Sequence, residues 1–104
     1  MTKSVPDSLK PLNNLKNILL EAINDPQVKI YLFGSWARST PKNSSDIDIG
    51  IWHPAFPGAE FFMHLRDLVE ESTIPYRVDI VDLNHADPVI IDKVQTEGIL
   101  WSGY

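Results

Sequence analysis

The 104-residue chain contains no cysteine, which excludes a disulfide framework and a thiolate metal site and leaves the redox compartment untested. Long apolar runs are missing as well: none approaches the ~18 residues needed to span a bilayer, and the opening MTKSVPDSLKP has no apolar signal core. A cytoplasmic location without membrane contact is the expectation. Basic clusters are also absent. Nine Lys and Arg stand against 14 Asp and Glu, a net charge of −5. An extended nucleic-acid template, which needs clustered cations to replace its counterions, is therefore not an expected ligand. One nucleotide carrying its own divalent cation suits an acidic domain, because the metal neutralises much of the phosphate charge.

The 43% hydrophobic and 22% charged content is that of an ordinary globular domain. The length leaves room for one domain over residues 1–104, with 1–7 as a loose lead-in. From Ser8, the apolar residues Leu12, Leu15, Leu19 and Ile23 recur at steps of three or four, with Ile18 and Ala22 alongside, which predicts an amphipathic helix ended by Asp25-Pro26. A strand over Val28 to Phe33 follows, then a Gly34-Ser35 turn and the start of a short helix over Ser35 to Arg38, stopped by Pro41. After a polar loop from Lys42 to Ser45, residues Asp46 to Trp52 alternate, with Ile47, Ile49 and Ile51 on one face and Asp46, Asp48 and Gly50 on the other. Helical spacing returns over Ala59 to Glu71, and Tyr76 to Leu83 reads as a strand. Asp87-Pro88 is a helix-start signal and Gly98 a stop, and Ile99 to Trp101 forms a last strand. The order predicts an α/β (α+β) domain with a mixed four-stranded sheet flanked by helices. The connection between the first two strands is too short for a crossover helix, so those strands are expected to be antiparallel neighbours.

Asp46 and Asp48 leave the same face of one predicted strand. Aspartate is a poor strand former, and two like charges side by side repel unless something positive lies between them. A divalent cation resolves that conflict, since Mg²⁺ takes oxygen ligands, typically one or two carboxylates plus phosphate oxygens. A merely solubilising pair is the plainer alternative, and the neighbouring Gly34-Ser35 turn tips the balance toward a metal. That turn, after a strand, is a candidate phosphate cradle with the Ser35 hydroxyl and backbone N–H groups as donors. Arg38 is a candidate for phosphate charge, with a surface ion pair as the equal alternative. Asp79 is the natural third carboxylate, able to hold metal or act as general base, and Asp82 is the competitor nearer the strand end. Trp36 is read as packing, and His53, His64 and His85 lack ligand spacing.

Together, Gly34-Ser35, a ten-residue spacer and Asp46-Ile47-Asp48 resemble the signature of the nucleotidyltransferase superfamily that includes DNA polymerase beta and kanamycin nucleotidyltransferase. The fuller GSWARS…SDIDIGIW string and the later Val-Asp-Ile-Val look like the minimal nucleotidyltransferase (MNT) family. The resemblance implies that Gly34 and Ser35 hold the triphosphate of ATP or another nucleotide, that Asp46 and Asp48 bind Mg²⁺, two ions in all, and that Asp79 completes the triad. The implied reaction is transfer of a nucleoside monophosphate, AMP from ATP, to an acceptor hydroxyl. Many MNT proteins pair with a HEPN toxin and modify one of its tyrosines, which implies a HEPN-type partner and an antitoxin role. Neutralisation by contact without turnover is the alternative, and an antibiotic-modifying enzyme a third, although such enzymes usually carry an extra acceptor domain. Assembly into an oligomer is left open. One departure stands out: Ser39 occupies a position where family members usually have Gly, so a positive φ there would strain the loop.

Overall fold

The computed structural model describes residues 10–38, 46–55 and 57–102, in the order α1 (Lys10–Ile23), β1 (Lys29–Phe33), β2 (Ile47–Trp52), α2 (Ala59–Glu70), β3 (Val78–Asp82), α3 (Pro88–Glu97) and β4 (Ile99–Ser102). The expected lead-in, Pro41 and the Lys42–Ser45 loop lie outside the described residues, as does Ser39. Helix α1 turns its Leu15 and Leu19 inward, both fully buried. It ends one residue before Asp25-Pro26, at Asn24, whose positive φ of 46° breaks the helical path while its N–H still bonds the Leu20 carbonyl at 2.9 Å. Asparagine tolerates that region better than most side chains.

The sheet is mixed, with strand order β3-β2-β1-β4. As expected from the short connection, β1 and β2 are antiparallel, Phe33 facing Asp48 in register, whereas β2 and β3 run parallel, Asp48 beside Asp79. β4 closes the other edge antiparallel to β1. Helices α1 and α2 cover one face, where Ile30, Leu32, Ile47, Ile49, Ile51 and Ile80 meet Leu15, Leu19, Phe62 and Leu65. The three isoleucines of β2 are 0% exposed, which confirms the face assigned from their alternation. The opposite face carries a smaller cluster, Phe33, Leu83 and Val94, under α3.

The residues after Gly34 form a turn through Arg38 in which the N–H groups of Ala37 and Arg38 both bond the Gly34 carbonyl, at 3.1 and 3.2 Å, the second in the i to i−4 pattern with which an α-helix starts; the residues that would continue it lie outside the described ones. Gly98 stops α3 in an extended conformation (φ −68°, ψ 141°). Glycine is required there by crowding, since a Cβ would lie 2.3 Å from the Val94 carbonyl oxygen. Asp87 starts α3 through its backbone carbonyl, which accepts from Ile91 N–H, and makes no side-chain cap. No helix among the described residues is long and apolar enough to cross a membrane.

Truncating Ile49 to Ala, at the centre of the sheet, is expected to cost about 2–5 kcal/mol as a lower urea midpoint with unchanged slope. Met63→Ala, at a position 59% exposed, should move that midpoint by less than about 0.5 kcal/mol equivalent.

Candidate active site

Strand pairing assembles the site. The parallel β2–β3 register sets Asp48 beside Asp79, and the antiparallel β1–β2 register brings the end of β1, and so Gly34, against Asp48. Gly34 has φ +78°, and a Cβ built on it would lie 2.3 Å from Asp48 Oδ2. A side chain there would be disfavoured by the positive φ and would push the Asp48 carboxylate aside. The carboxylate thus lies directly against the turn that the sequence marks as a phosphate cradle, and Ser35, half-buried, follows in the same turn.

Burial pushes the Asp48 carboxyl above its ordinary range, and the nearby charges of Asp79 and Asp46 push it further in the same direction. Lys93 on α3 opposes them, while Glu97 adds to the rise. Three carboxylates with a deficit of positive charge are thereby gathered on the face away from the main core. The cleft beside them, about 840 Å³, is lined by Asp48, Asp79, Arg77, Lys93, Val81 and Ile90 among others.

Two arginines behave differently. Arg38 Nη1 donates to Glu97 Oε2 at 2.6 Å, an ion pair that ties the turn to the end of α3. Arg77 was not foreseen. Its Nε lies 3.5 Å from Asp79 Oδ1 and 3.9 Å from Asp46 Oδ2, so the positive charge that the sequence demanded between the carboxylates is supplied here by a side chain. The signal was present in retrospect: Arg77 stands two positions before Asp79, an alternation that puts both on one side of β3. Lys93 and Glu97, one helical turn apart on α3, were missed because nothing in the sequence relates them to Asp48.

The donor set suits Mg²⁺: hard oxygen ligands from two adjacent strands, one of them with its carboxyl raised by burial and by its neighbouring carboxylates. Among the described residues, however, no three Asp, Glu or His side chains converge closely enough to hold a metal as they stand. Asp82 is accounted for elsewhere, with His85 Nδ1 at 2.7 Å and the Asn84 N–H on its carboxylate. Trp36 is buried edge-on against Tyr76, ring centres 4.9 Å apart, which is packing.

Because the folded state raises the Asp48 carboxyl above its unfolded value, Asp48 binds its proton more tightly when folded, and stability falls as pH rises from the ordinary aspartate range through the raised one. Asp48→Asn should therefore raise the metal-free melting temperature at pH 7 by a few degrees, and the gain should vanish below about pH 4, where both states are protonated. Melting curves across pH check this.

Comparison with known proteins follows the same geometry. Residues 13–102 match the family described as polymerase beta, nucleotidyltransferase. The protein adenylyltransferase MntA of Shewanella oneidensis is 34% identical over 95 residues, which cover 86% of this chain and 65% of that protein, so the chain spans just under two-thirds of its relative's length. A chain in a crystal structure of a toxin–antitoxin with AMP-PNP superposes with a TM-score of 0.70 at 30% identity, over 86% of this chain and 73% of that one. A structure of a tri-AMPylated Shewanella oneidensis HEPN toxin in complex with MNT antitoxin gives a TM-score of 0.64 at 27% identity, over 88% and 72% of the respective chains. With a Gly-Ser turn against an in-register aspartate pair, and a family match over nearly its whole length, the chain belongs to the polymerase beta nucleotidyltransferase family.

Proposed function

We propose that the protein is an Mg²⁺-dependent nucleotidyltransferase of the minimal type that moves AMP from ATP to a hydroxyl, that of a tyrosine on a HEPN-type toxin, and so acts as its antitoxin in the cytoplasm. The observation that carries this reading is the close approach of the Gly34 turn to Asp48, where an added Cβ would displace the carboxylate, so that a phosphate cradle and a carboxylate lie side by side. The activity named for the MntA relative and the AMP-PNP in the toxin–antitoxin neighbour support the choice of adenylyl group and partner.

In this reading the backbone of Gly34 and the hydroxyl of Ser35 bind the triphosphate and orient its α-phosphorus. Asp46, Asp48 and Asp79 would hold Mg²⁺, two ions in this reading, which would neutralise the triphosphate charge and ease ionisation of the acceptor. The acceptor oxygen bonds to the α-phosphorus, the bond to the bridging oxygen breaks, and pyrophosphate leaves. The acceptor's proton passes to the Asp79 carboxylate, on the strand beside Asp48. Arg38, held by Glu97, acts by steadying the turn rather than by reaching phosphate.

Incubating the protein with its HEPN partner, ATP and Mg²⁺ should add AMP to the toxin, read as a mass increment on a tyrosine peptide. Asp48→Asn should cut the transfer rate at least ~10²-fold, the loss typical of removing one electrostatic stabiliser of the transition state. Neutralisation of the toxin by Asp46→Asn/Asp48→Asn protein with no added AMP would instead favour inhibition by contact. Gly34→Ala should also abolish nucleotide binding in a titration with an ATP analogue, because its Cβ meets Asp48.

A further inference from the structure

Arg77 and Arg38 are both exposed arginines paired with carboxylates, but their geometry differs. Arg38 meets Glu97 at 2.6 Å, a short charge-assisted bond to a partner 18% exposed. Arg77 meets two carboxylates at 3.5 and 3.9 Å, longer than the roughly 2.7–2.9 Å of a formed N–H···O⁻ bond, and its own side chain is 76% exposed. A guanidinium serving structure would close a fork on one carboxylate. This one is shared loosely between Asp46, which precedes β2, and Asp79 on β3.

The backbone of Arg77 is held firmly. Its carbonyl accepts the Ile47 N–H at 2.9 Å, the bond that joins the beginnings of the two parallel strands. The residue that anchors the β2–β3 pair thus also carries an exposed, loosely paired charge between Asp46 and Asp79. Repulsion among Asp46, Asp48 and Asp79 is relieved there without any metal, and the relief is incomplete, since Asp48 receives no ion pair from Arg77 among the described contacts.

We propose that Arg77 is a resident counter-cation of Asp46 and Asp79, and that its guanidinium would compete with a divalent metal for those two carboxylates. The proposal rests on the nucleotidyltransferase reading for the metal's purpose, and on the two Arg77 contacts for its mechanism. A loosely bound guanidinium between Asp46 and Asp79 offsets their repulsion and keeps the site assembled at low metal concentration. It also sets the metal's affinity, because each binding event must break the Arg77 pairs. Exposed pairs are weak, so the competition is modest.

Mn²⁺ titration followed by electron paramagnetic resonance of the free ion, on the whole chain without nucleotide, tests this directly. Arg77→Gln should bind Mn²⁺ roughly three- to fivefold more tightly than the unaltered protein, about 0.7–1 kcal/mol at ~1.4 kcal/mol per tenfold. Arg77→Lys should lie between the two. The thermal stabilisation by Mn²⁺ should grow in parallel for Arg77→Gln, while its metal-free melting temperature falls. Unchanged or weaker Mn²⁺ binding by Arg77→Gln overturns the proposal, and AMP transfer by the unaltered protein would then leave the nucleotidyltransferase reading intact. Tighter binding by Arg77→Gln together with absent AMP transfer would sustain the counter-cation role and defeat the reading of the reaction.

Discussion

The repulsion among Asp46, Asp48 and Asp79 is the constraint to which the rest of the structure answers. Two adjacent parallel strands place these carboxylates side by side, and aspartate favours strands poorly enough that nothing local would choose this arrangement. The cost is met by burial on the other face. Ile47, Ile49 and Ile51 alternate with the charged residues and are fully buried against α1 and α2, so the hydrophobic gain of β2 is obtained on one face while the electrostatic loss is borne on the other. Local conflict of this kind is what a binding site looks like in energetic terms.

The remaining elements can be understood by what they do for that strand. The antiparallel β1 brings Gly34 to Asp48, and the parallel β3 brings Asp79. Helix α3 lies over the same face and contributes both signs of charge, Lys93 lowering the Asp48 carboxyl and Glu97 raising it. Glu97 in turn holds Arg38 at the end of the glycine turn. A single short path therefore runs from the last helix through an ion pair to the turn and from there to the central carboxylate.

Much of this was legible in the residues. Alternation in Asp46–Trp52 identified the buried face, the short connection identified antiparallel neighbours, and the placement of Asp79 among apolar residues singled it out over Asp82, which the structure pairs with His85. What was not legible depends on contacts between distant parts of the chain. Arg38 and Glu97 are 59 residues apart, and no local pattern links them. Gly98 was recognised as a stop, but the crowding by the Val94 carbonyl that demands glycine there is a contact composition does not express.

The division of β2 into a core face and a charged face has an evolutionary consequence. Folding depends on the isoleucines, whereas the ionised form of Asp48 opposes it. Replacing that one carboxylate leaves the buried face of β2 untouched, so a form that keeps the sheet and lacks the charge lies one substitution away.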